Sequence, residues 1–161
     1  GDAGRAVLVE MLPRISNEKL VLLDALVRGG APASSVDALI AVLSEGGPES
    51  VLAATLLGRL KAKQAVPALL KALEDPGSVG RRELLTTLGE LGDGSVSDVV
   101  ARDLYHDLPE IRAAAAAALA RTGTGEQAGA LDALKSDYYR RVREAATLAL
   151  SKAATAAEGQ R

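Results

Sequence analysis

The chain has 161 residues, a formal net charge of -2 from 19 basic and 21 acidic residues, and no cysteine, tryptophan or phenylalanine. This near balance removes the overall electrostatic attraction to DNA or to an anionic membrane, and the absence of cysteine excludes disulfides, thiolate nucleophiles and cysteine-ligated zinc. A single histidine, His106, excludes sites built from two or more imidazoles. No segment has the apolar length of a membrane span or the pattern of a secretory signal, so a cytoplasmic location is the default expectation.

Apolar residues recur at spacings of three and four along nearly the whole chain, which is the pattern of amphipathic helices and not of strands. The segment 84–91 shows it with four leucines. Glycine-rich segments such as 29–30, 92–94 and 123–125 separate these stretches and predict turns. The predicted helices, in chain order, are 4–12, 17–28, 35–45, 48–60, 66–74, 79–91, 96–106, 109–121, 126–135 and 138–154.

Residue types typical of helix starts stand at several of these boundaries. Pro48 and Pro109 fall in first turns, where a missing N–H costs nothing, and Ser35 and Ser95 are candidate N-caps. No predicted helix is long enough to be stable alone in water, so each must bury its apolar stripe against neighbours. The sequence therefore predicts an all-α fold of about ten packed helices.

A repeat of about 31 residues organises these helices. A leucine recurs at the same position of every period. The residue after it is mostly small, which favours close helix packing. The leucine column is Leu26, Leu57, Leu88, Leu119 and Leu150, and the next column is Val27, Gly58, Gly89, Ala120 and Ser151. Each period carries two apolar stripes, so the repeating unit is predicted to be an antiparallel helix pair.

The second stripe of each period has columns of its own. They read Leu8, Leu39, Leu70, Ala101 and then Met11, Val42, Leu73, Leu104. In the fourth period the apolar pair is Leu131 and Leu134, one position early. This shift predicts an irregular turn at 137–141, where the register returns.

Several motifs in this pattern resemble HEAT repeats of the short phycobilisome-lyase-like type. The family's first-helix signature, a hydrophobic residue and arginine followed by paired alanines, occurs at 111–116 and 142–146. The segment 65–76 is close to the family's second helix, and 57–60 and 88–92 match its Leu-Gly-x-Leu-Gly hinge. The resemblance implies an α-α superhelix, a HEAT-like solenoid of antiparallel helix pairs. It includes lyase subunits that attach or remove bilin chromophores.

This register predicts a single repeat domain over 1–161. It begins with a half repeat at 1–13 and ends with a lone first helix at 138–154 and a frayed tail at 155–161. The complete repeats are predicted at about 16–46, 47–77, 78–107 and 108–137. Because a half repeat stands at each end, we expect the chain to be a segment of a longer protein.

Residues that could carry catalytic chemistry are few. Acidic residues at repeat ends each precede an arginine by five or six positions. We interpret these acidic and arginine side chains as caps of helix starts and as a ladder of links between neighbouring repeats. These residues are Asp75, Asp107 and Asp137, followed by Arg81, Arg112 and Arg143. The glycine-rich turns lack the ending of a phosphate-binding loop, and no nucleophile elbow supports a triad with His106. We expect no catalytic residue, metal ligand or cofactor.

All three tyrosines and the only histidine fall at the ends of second helices or in the turns that follow. Equivalent turns of consecutive repeats line up along one edge of a helical array, so Tyr105 and His106 are expected near Tyr138, Tyr139, Arg140 and Arg141. Tyrosine and arginine are enriched at interaction hot spots, which favours a partner-binding edge. The preferred interpretation is nevertheless the structural one, in which Tyr105 or Tyr138 packs over the end of the core and the two arginines form a solvated helix start.

A second candidate surface is the face formed by the second helices, where the family usually binds partners. Its expected exposed residues include Lys71 and Arg102 as candidate binding residues, together with Asp37, Glu74, Asp98, Asp103, Gln127 and Asp132. Mixed charge disfavours a polyanionic ligand and suits a protein or peptide partner recognised by patterned contacts.

Three classes of function compete on these observations. The leading hypothesis is a non-enzymatic protein-interaction or scaffold module, because the pattern predicts extended surface without a convergent set of catalytic groups. The alternative is a phycobilin lyase-like subunit whose Tyr-His-Arg edge holds the propionates of a tetrapyrrole. A HEAT-like DNA-binding protein is disfavoured by the net charge and the lack of Trp and Phe. The expected partner is a protein or peptide, with no nucleic acid, no membrane insertion and a monomer as the default.

Overall fold

We describe the chain from a computed structural model, which covers residues 2–12, 18–75, 79–123 and 125–158. The regular elements in these ranges are all helical, which confirms the predicted all-α class. The chain divides into two compact units, Gly1–Thr87 and Leu88–Arg161. Predicted boundaries at 13, 16, 17, 77 and 78, the glycine-rich turn residue 124 and the tail residues 159–161 lie outside the described residues.

The described part of the N-terminal unit contains five α-helices and the beginning of a sixth. They are α1 (Asp2–Met11), α2 (Lys19–Gly29), α3 (Val36–Glu45), α4 (Gly47–Arg59), α5 (Val66–Glu74) and the first residues of α6 (Arg81–Leu91). First helices pack on first helices, α2 against α4, and second helices on second helices, α3 against α5. This is the arrangement that a period of two stripes predicts.

The C-terminal unit continues the same alternation from the end of α6. It contains α7 (Ser97–Ala101), α8 (Pro109–Thr122), α9 (Ala128–Leu134) and α10 (Arg140–Glu158). The first helices α8 and α10 form its main interface. Helix α10 ends four residues beyond the predicted 154, and no helix among the described residues is long and apolar enough to cross a membrane.

A one-turn 3₁₀ helix precedes each second helix from α3 onward, a feature that the apolar pattern does not predict. The four turns are Ala33–Ser35, Lys63–Ala65, Gly94–Val96 and Gly125–Gln127. Ser35 stands at the N-cap position of α3, as predicted, but its side chain makes no capping hydrogen bond. The N-cap prediction for Ser95 is wrong, because Ser95 lies inside the 3₁₀ turn. The Ser35 hydroxyl donates to the Pro32 carbonyl, and Asp93 caps the later turn by accepting from the Ser95 N–H at 2.9 Å.

Four of the five leucines in the first-helix column form the core as expected, and the fifth, Leu150, is half-buried. Leu26, Leu57, Leu88 and Leu119 are buried. The small residue after the leucine permits close contact, since a Cβ added at Gly89 would lie 2.8 Å from the Cα of Ala118. Pro48 and Pro109 stand in first turns, as predicted.

The second-helix columns are displaced from the prediction at four of their eight positions. Leu39, Val42, Leu73 and Leu104 are buried as expected. In α1 and the residue that follows it, Val9 and Leu12 are buried, whereas Leu8 and Met11 are 37% and 44% exposed. In α5 and α7 the fully buried residues are Leu69 and Val100, not Leu70 and Ala101, which are half-buried. Neighbouring apolar residues made both registers compatible with the sequence pattern, and a one-residue step turns a helix by about 100°.

The irregular repeat is the first, not the fourth. The fully buried positions of second helices are Leu39, Leu69, Val100 and Leu131. The step from the first-helix leucine to the buried second-helix residue is one residue longer in the first repeat, Leu26 to Leu39, than in the others. Those steps are Leu57 to Leu69, Leu88 to Val100 and Leu119 to Leu131. The extra residue falls in the turn that contains Gly30, which has a φ of 82°, so the predicted register slip at 137–141 is wrong.

Candidate functional site

The two tyrosine-bearing turns of the C-terminal unit present their rings to solvent. Tyr105 ends a 3₁₀ helix, Arg102–Tyr105, and is 76% exposed. Tyr138 and Tyr139 precede α10 and are 88% and 48% exposed, with their rings edge to face at a centroid distance of 5.2 Å. The preferred interpretation, in which Tyr105 or Tyr138 covers the end of the core, does not hold, since neither ring is buried.

One guanidinium joins these two turns. Arg112, in the first turn of α8, donates from Nη1 to the carbonyls of His106 and Asp107 at 2.7 and 2.8 Å. The same side chain donates from Nε and Nη2 to the two carboxylate oxygens of Asp137 at 2.9 and 3.2 Å. The Arg112 and Asp137 side chains are only 14% and 8% exposed, so this bidentate pair is largely shielded from water.

Arginines one period apart fold back on the turn before their own helix. Arg81 donates to the Leu73 carbonyl at 2.8 Å, and Arg143 donates to the carbonyls of Asp137 and Tyr138 at 2.9 Å each. Together with Arg112 they satisfy carbonyls that a helix end leaves without partners. The predicted capping and link between repeats is confirmed at Asp137, whose carboxylate accepts from Arg112 and from the Tyr139 N–H. At Asp75 and Asp107 the arginines donate to the backbone carbonyls.

His106 takes the place that an aspartate has one period later. The Leu108 N–H donates to His106 Nδ1 at 3.1 Å, and the Tyr139 N–H donates to Asp137 Oδ1 at 2.9 Å. Both side chains therefore hold the backbone two residues ahead, in the manner of an Asx turn. The ring of His106 has a structural function in this turn.

The cations beside the tyrosines lie in two groups. Arg140 and Arg141 are exposed at the start of α10, where Arg140 pairs with Glu144 at 3.2 Å between largely exposed side chains. Arg102 is exposed three residues before Tyr105, and the 3₁₀ geometry of this segment places residues three apart on one face. We call Arg102, Tyr105, His106, Tyr138, Tyr139, Arg140 and Arg141 the turn edge.

Leu108 adds an apolar side chain to this region that the sequence reasoning missed. It is 50% exposed, in the turn that ends at Pro109. The signal was the apolar residue immediately before a helix-starting proline, which no stripe of either neighbouring helix includes. The turn edge therefore combines aromatic rings, an exposed leucine and cations, the residue types that supply contact area and directional hydrogen bonds at interfaces.

The second-helix face is less uniform than predicted. Most of its predicted residues are exposed, namely Asp37, Lys71, Glu74, Asp98, Arg102 and Asp132. Asp103 is an exception at 3% exposure, because the change from α to 3₁₀ geometry after Ala101 turns it inward. Gln127 is half-buried and donates to Asp98 at 2.6 Å, so this pair joins α7 to the turn before α9.

Lys71 also lines a cavity of about 330 Å³ within the N-terminal unit. Glu45 and Asp75 are the acidic residues of its lining, and Gly46 and Gly47 form part of its wall. Lys19, from α2, pairs with Glu45 at 2.5 Å. The charges around this cavity are of both signs, and sequence reasoning placed only Lys71 on a binding surface.

Comparisons with known proteins identify the repeat. The model of HEAT repeats matches residues 78–151, and the model of the PBS lyase HEAT-like repeat matches residues 52–75. No curated protein sequence is similar enough to count as a match.

Among solved structures, the chain is similar to one in the complex of CpcE and CpcF of phycocyanin lyase from Nostoc sp. PCC7120. The TM-score is 0.83 at 22% sequence identity, and the match covers 94% of this chain and 65% of the Nostoc chain. This likeness confirms the predicted fold, and the chain spans less than two thirds of the protein that it matches. The chain therefore contains HEAT repeats over residues 78–151 and a repeat of the PBS lyase HEAT-like type over residues 52–75.

Proposed function

We propose that the chain is a non-enzymatic protein-interaction module and that the turn edge is its principal binding surface. The observation that carries this proposal is the exposure of all three tyrosines on turns fixed by Arg112 and Arg143. Because the backbone of these turns is already fixed, binding orders only the two side-chain torsions of each ring, which limits the entropy cost of the contact.

The cations extend the range of groups that this edge can contact. Arg141 and Arg102 are exposed, and Arg140 is held only by an exposed pair with Glu144, which contributes little. These arginines remain available for bidentate bonds to carboxylates or backbone carbonyls of a partner. Lys71 is part of the proposed second-helix surface of the N-terminal unit, where its neighbours are of mixed charge.

A matched pair of triple variants tests this proposal. Tyr139→Ala, Arg140→Ala and Arg141→Ala together remove one ring and two cations from the turn edge. Leu148→Ala, Arg121→Ala and Lys152→Ala together remove one exposed apolar side chain and two exposed cations elsewhere in the same unit. Quantitative affinity capture should recover the same partner with the unmodified chain and the control, and lose it with the turn-edge variant. Equal recovery by all three chains would contradict the proposal.

A second candidate function is chromophore handling, because the fold likeness includes a protein described as phycocyanin lyase. In this case the exposed Arg140 and Arg141 would pair with the propionates of a tetrapyrrole whose rings lie against Tyr138 and Tyr139. Titration of the chain into a bilin solution tests it by absorbance. A shift that the turn-edge triple variant abolishes supports this function, and an unchanged spectrum excludes it.

A further inference from the structure

The turn that joins the 3₁₀ helix Arg102–Tyr105 to α8 depends on a side-chain acceptor that can gain a proton. The Leu108 N–H donates to His106 Nδ1 at 3.1 Å, and the exposed Tyr105 and Leu108 lie on either side of His106 in the sequence. Nδ1 accepts only while the imidazole is neutral, because an imidazolium carries a hydrogen on both ring nitrogens. Histidine is the side chain that ordinarily changes charge between about pH 5 and 8. The bond to Leu108 therefore depends on pH.

The equivalent turn one period later has an acceptor of a different kind. The Tyr139 N–H donates to Asp137 Oδ1 at 2.9 Å, and Arg112 donates to both oxygens of the same carboxylate. A carboxylate accepts hydrogen bonds throughout the range in which an imidazole changes charge. The two turns thus share one hydrogen-bond pattern and differ in how the acceptor responds to pH.

Protonation of His106 removes one bond of its turn and leaves the others. The His106 N–H donates to the Asp103 carbonyl at 3.3 Å, and the His106 carbonyl accepts from Arg112 at 2.7 Å, so neither bond uses the ring. A hydrogen on Nδ1 faces the Leu108 N–H, and two donors that face each other repel. The Arg112 guanidinium adds positive charge at the backbone of the same residue. The Leu108 N–H must then turn toward water, which moves the exposed leucine with it.

The charged side chains around this turn are engaged elsewhere or lie in water. The elements that pack on the 3₁₀ helix are α7, α8 and α9. Their engaged pairs are Asp98 with Gln127, Asp132 with Lys135, and Arg112 with Asp137. Asp107 and Glu110 are exposed, and Asp103 is buried. In the described ranges none of these carboxylates pairs with His106, so a charge on the ring loses the bond to Leu108 without an ion pair in exchange.

We propose that His106 is a pH-sensitive switch in the turn that carries Tyr105 and Leu108. Above the range in which the ring gains a proton, the Leu108 N–H is bound and the turn is held. Below that range the bond is absent and the turn is released. The folded chain is thus more stable with a neutral ring, and acid lowers its stability through this bond. The switch goes beyond the proposed function and does not depend on it, because the bond is present without a partner.

Nuclear magnetic resonance of the isotopically labelled full chain tests the switch between about pH 7.5 and 5.5. The ring carbons of the single histidine report its protonation directly. We expect the Leu108 amide proton to shift upfield with the same midpoint as the ring and to acquire the temperature coefficient of an amide bonded to water. The Tyr139 amide proton should stay in place. A Leu108 amide that does not follow the ring overturns the proposal, as does a ring that keeps one charge state over this range.

Two substitutions separate the switch from the general effect of acid on the chain. His106→Asn keeps an acceptor near the place of Nδ1 that does not titrate, and His106→Ala has no acceptor at any pH. The unfolding equilibrium constant of the unmodified chain in urea should rise about threefold relative to that of His106→Asn when the pH falls from about 7.5 to 5.5. His106→Ala should unfold about fivefold more readily than His106→Asn at both pH values.

The ratio of unfolding constants between the unmodified chain and His106→Asn decides the outcome. A ratio that does not change with pH overturns the proposal, since acid then acts on both chains through other groups. A change in the opposite sense overturns it as well, because the turn would then favour the imidazolium. Circular dichroism verifies that each variant keeps its helical content, and the Tyr139 amide verifies that the neighbouring turn is unchanged.

Discussion

Equivalent helices of the two compact units bury different side chains in their cores, and the two units therefore expose different surfaces. In the N-terminal unit leucine dominates the core, and further apolar residues such as Val21 and Leu20 remain outside it. In the C-terminal unit α8 is alanine-rich, with Ala115, Ala116 and Ala118 all buried, and the largest exposed side chains are tyrosines. One repeat period can thus support exposed apolar side chains or an aromatic, cationic edge, depending on which columns carry the large residues.

Removal of the guanidinium that joins the two turns should produce the largest change in stability of the C-terminal unit. Arg112→Ala leaves the Asp137 carboxylate, which is only 8% exposed, without its bidentate partner. Loss of one member of a shielded ion pair costs about 3 kcal/mol in the free energy of unfolding, measured by urea denaturation. Arg140→Ala is the control, because its pair is exposed and its removal should change stability by less than about 0.5 kcal/mol. Similar losses for both variants would show that shielding is unimportant.

Filling the closest helix contact tests whether the alanine-rich packing is tight. Gly89→Val places branched carbons against the α8 backbone at Ala118 and should destabilise the chain by about 2 kcal/mol in thermal or urea unfolding. Gly129→Ala is the matched control in α9, where a Cβ has open space, and it should stabilise by about 0.5 kcal/mol. A neutral Gly89→Val would mean that α6 and α8 move apart at little cost.

The capping function of His106 predicts a smaller effect. His106→Ala removes the acceptor for the Leu108 N–H and should cost about 1 kcal/mol in the free energy of unfolding. His106→Asp should preserve stability, since Asp137 forms the equivalent hydrogen bond one period later. If aspartate is as harmful as alanine, the imidazole has another function in this turn.

Exposed apolar residues of the N-terminal unit should contribute least to stability. Val21→Ser changes a side chain that is 70% exposed, and we expect a change of less than about 0.5 kcal/mol in the free energy of unfolding. Leu23→Ser, two positions along the same helix, removes a fully buried side chain and should cost several times more. A large loss for Val21→Ser would show that this residue belongs to the core, and the contrast between the two units would fail.

The helices and their pairing were predictable because the leucine column of the first helices is unambiguous. The register of the second helices was predicted correctly at only some positions. In α1 it was missed, because Leu8 is followed by Val9 and Met11 by Leu12, so either member of each pair fits the stripe. The choice depends on which residue meets the neighbouring helix, a property of the packed unit. Periodicity also cannot report a change to 3₁₀ geometry, which is why Asp103 was expected on the surface.

The candidate site was predictable in composition and not in its contacts. The 31-residue offset predicted that Tyr105 and Tyr139 stand on neighbouring turns, and the Asp–Arg spacing predicted a link between repeats. The equivalence of His106 with Asp137 needed the backbone N–H positions, which no residue pattern supplies. Leu108 was missed because it belongs to no helical stripe.

The exclusive location of the tyrosines gives the turn edge an optical signature. The chain has no tryptophan, so its near-ultraviolet absorbance and emission come from three phenol rings, all of them on this edge. Quenching by iodide, or a change in emission when a molecule covers the rings, therefore reports the occupancy of this edge without any label. Events confined to residues 1–87, which contain no tyrosine, are silent in the same measurement. The chain's own tyrosine emission thus reports binding at the turn edge and stays unchanged when a molecule binds only to residues 1–87.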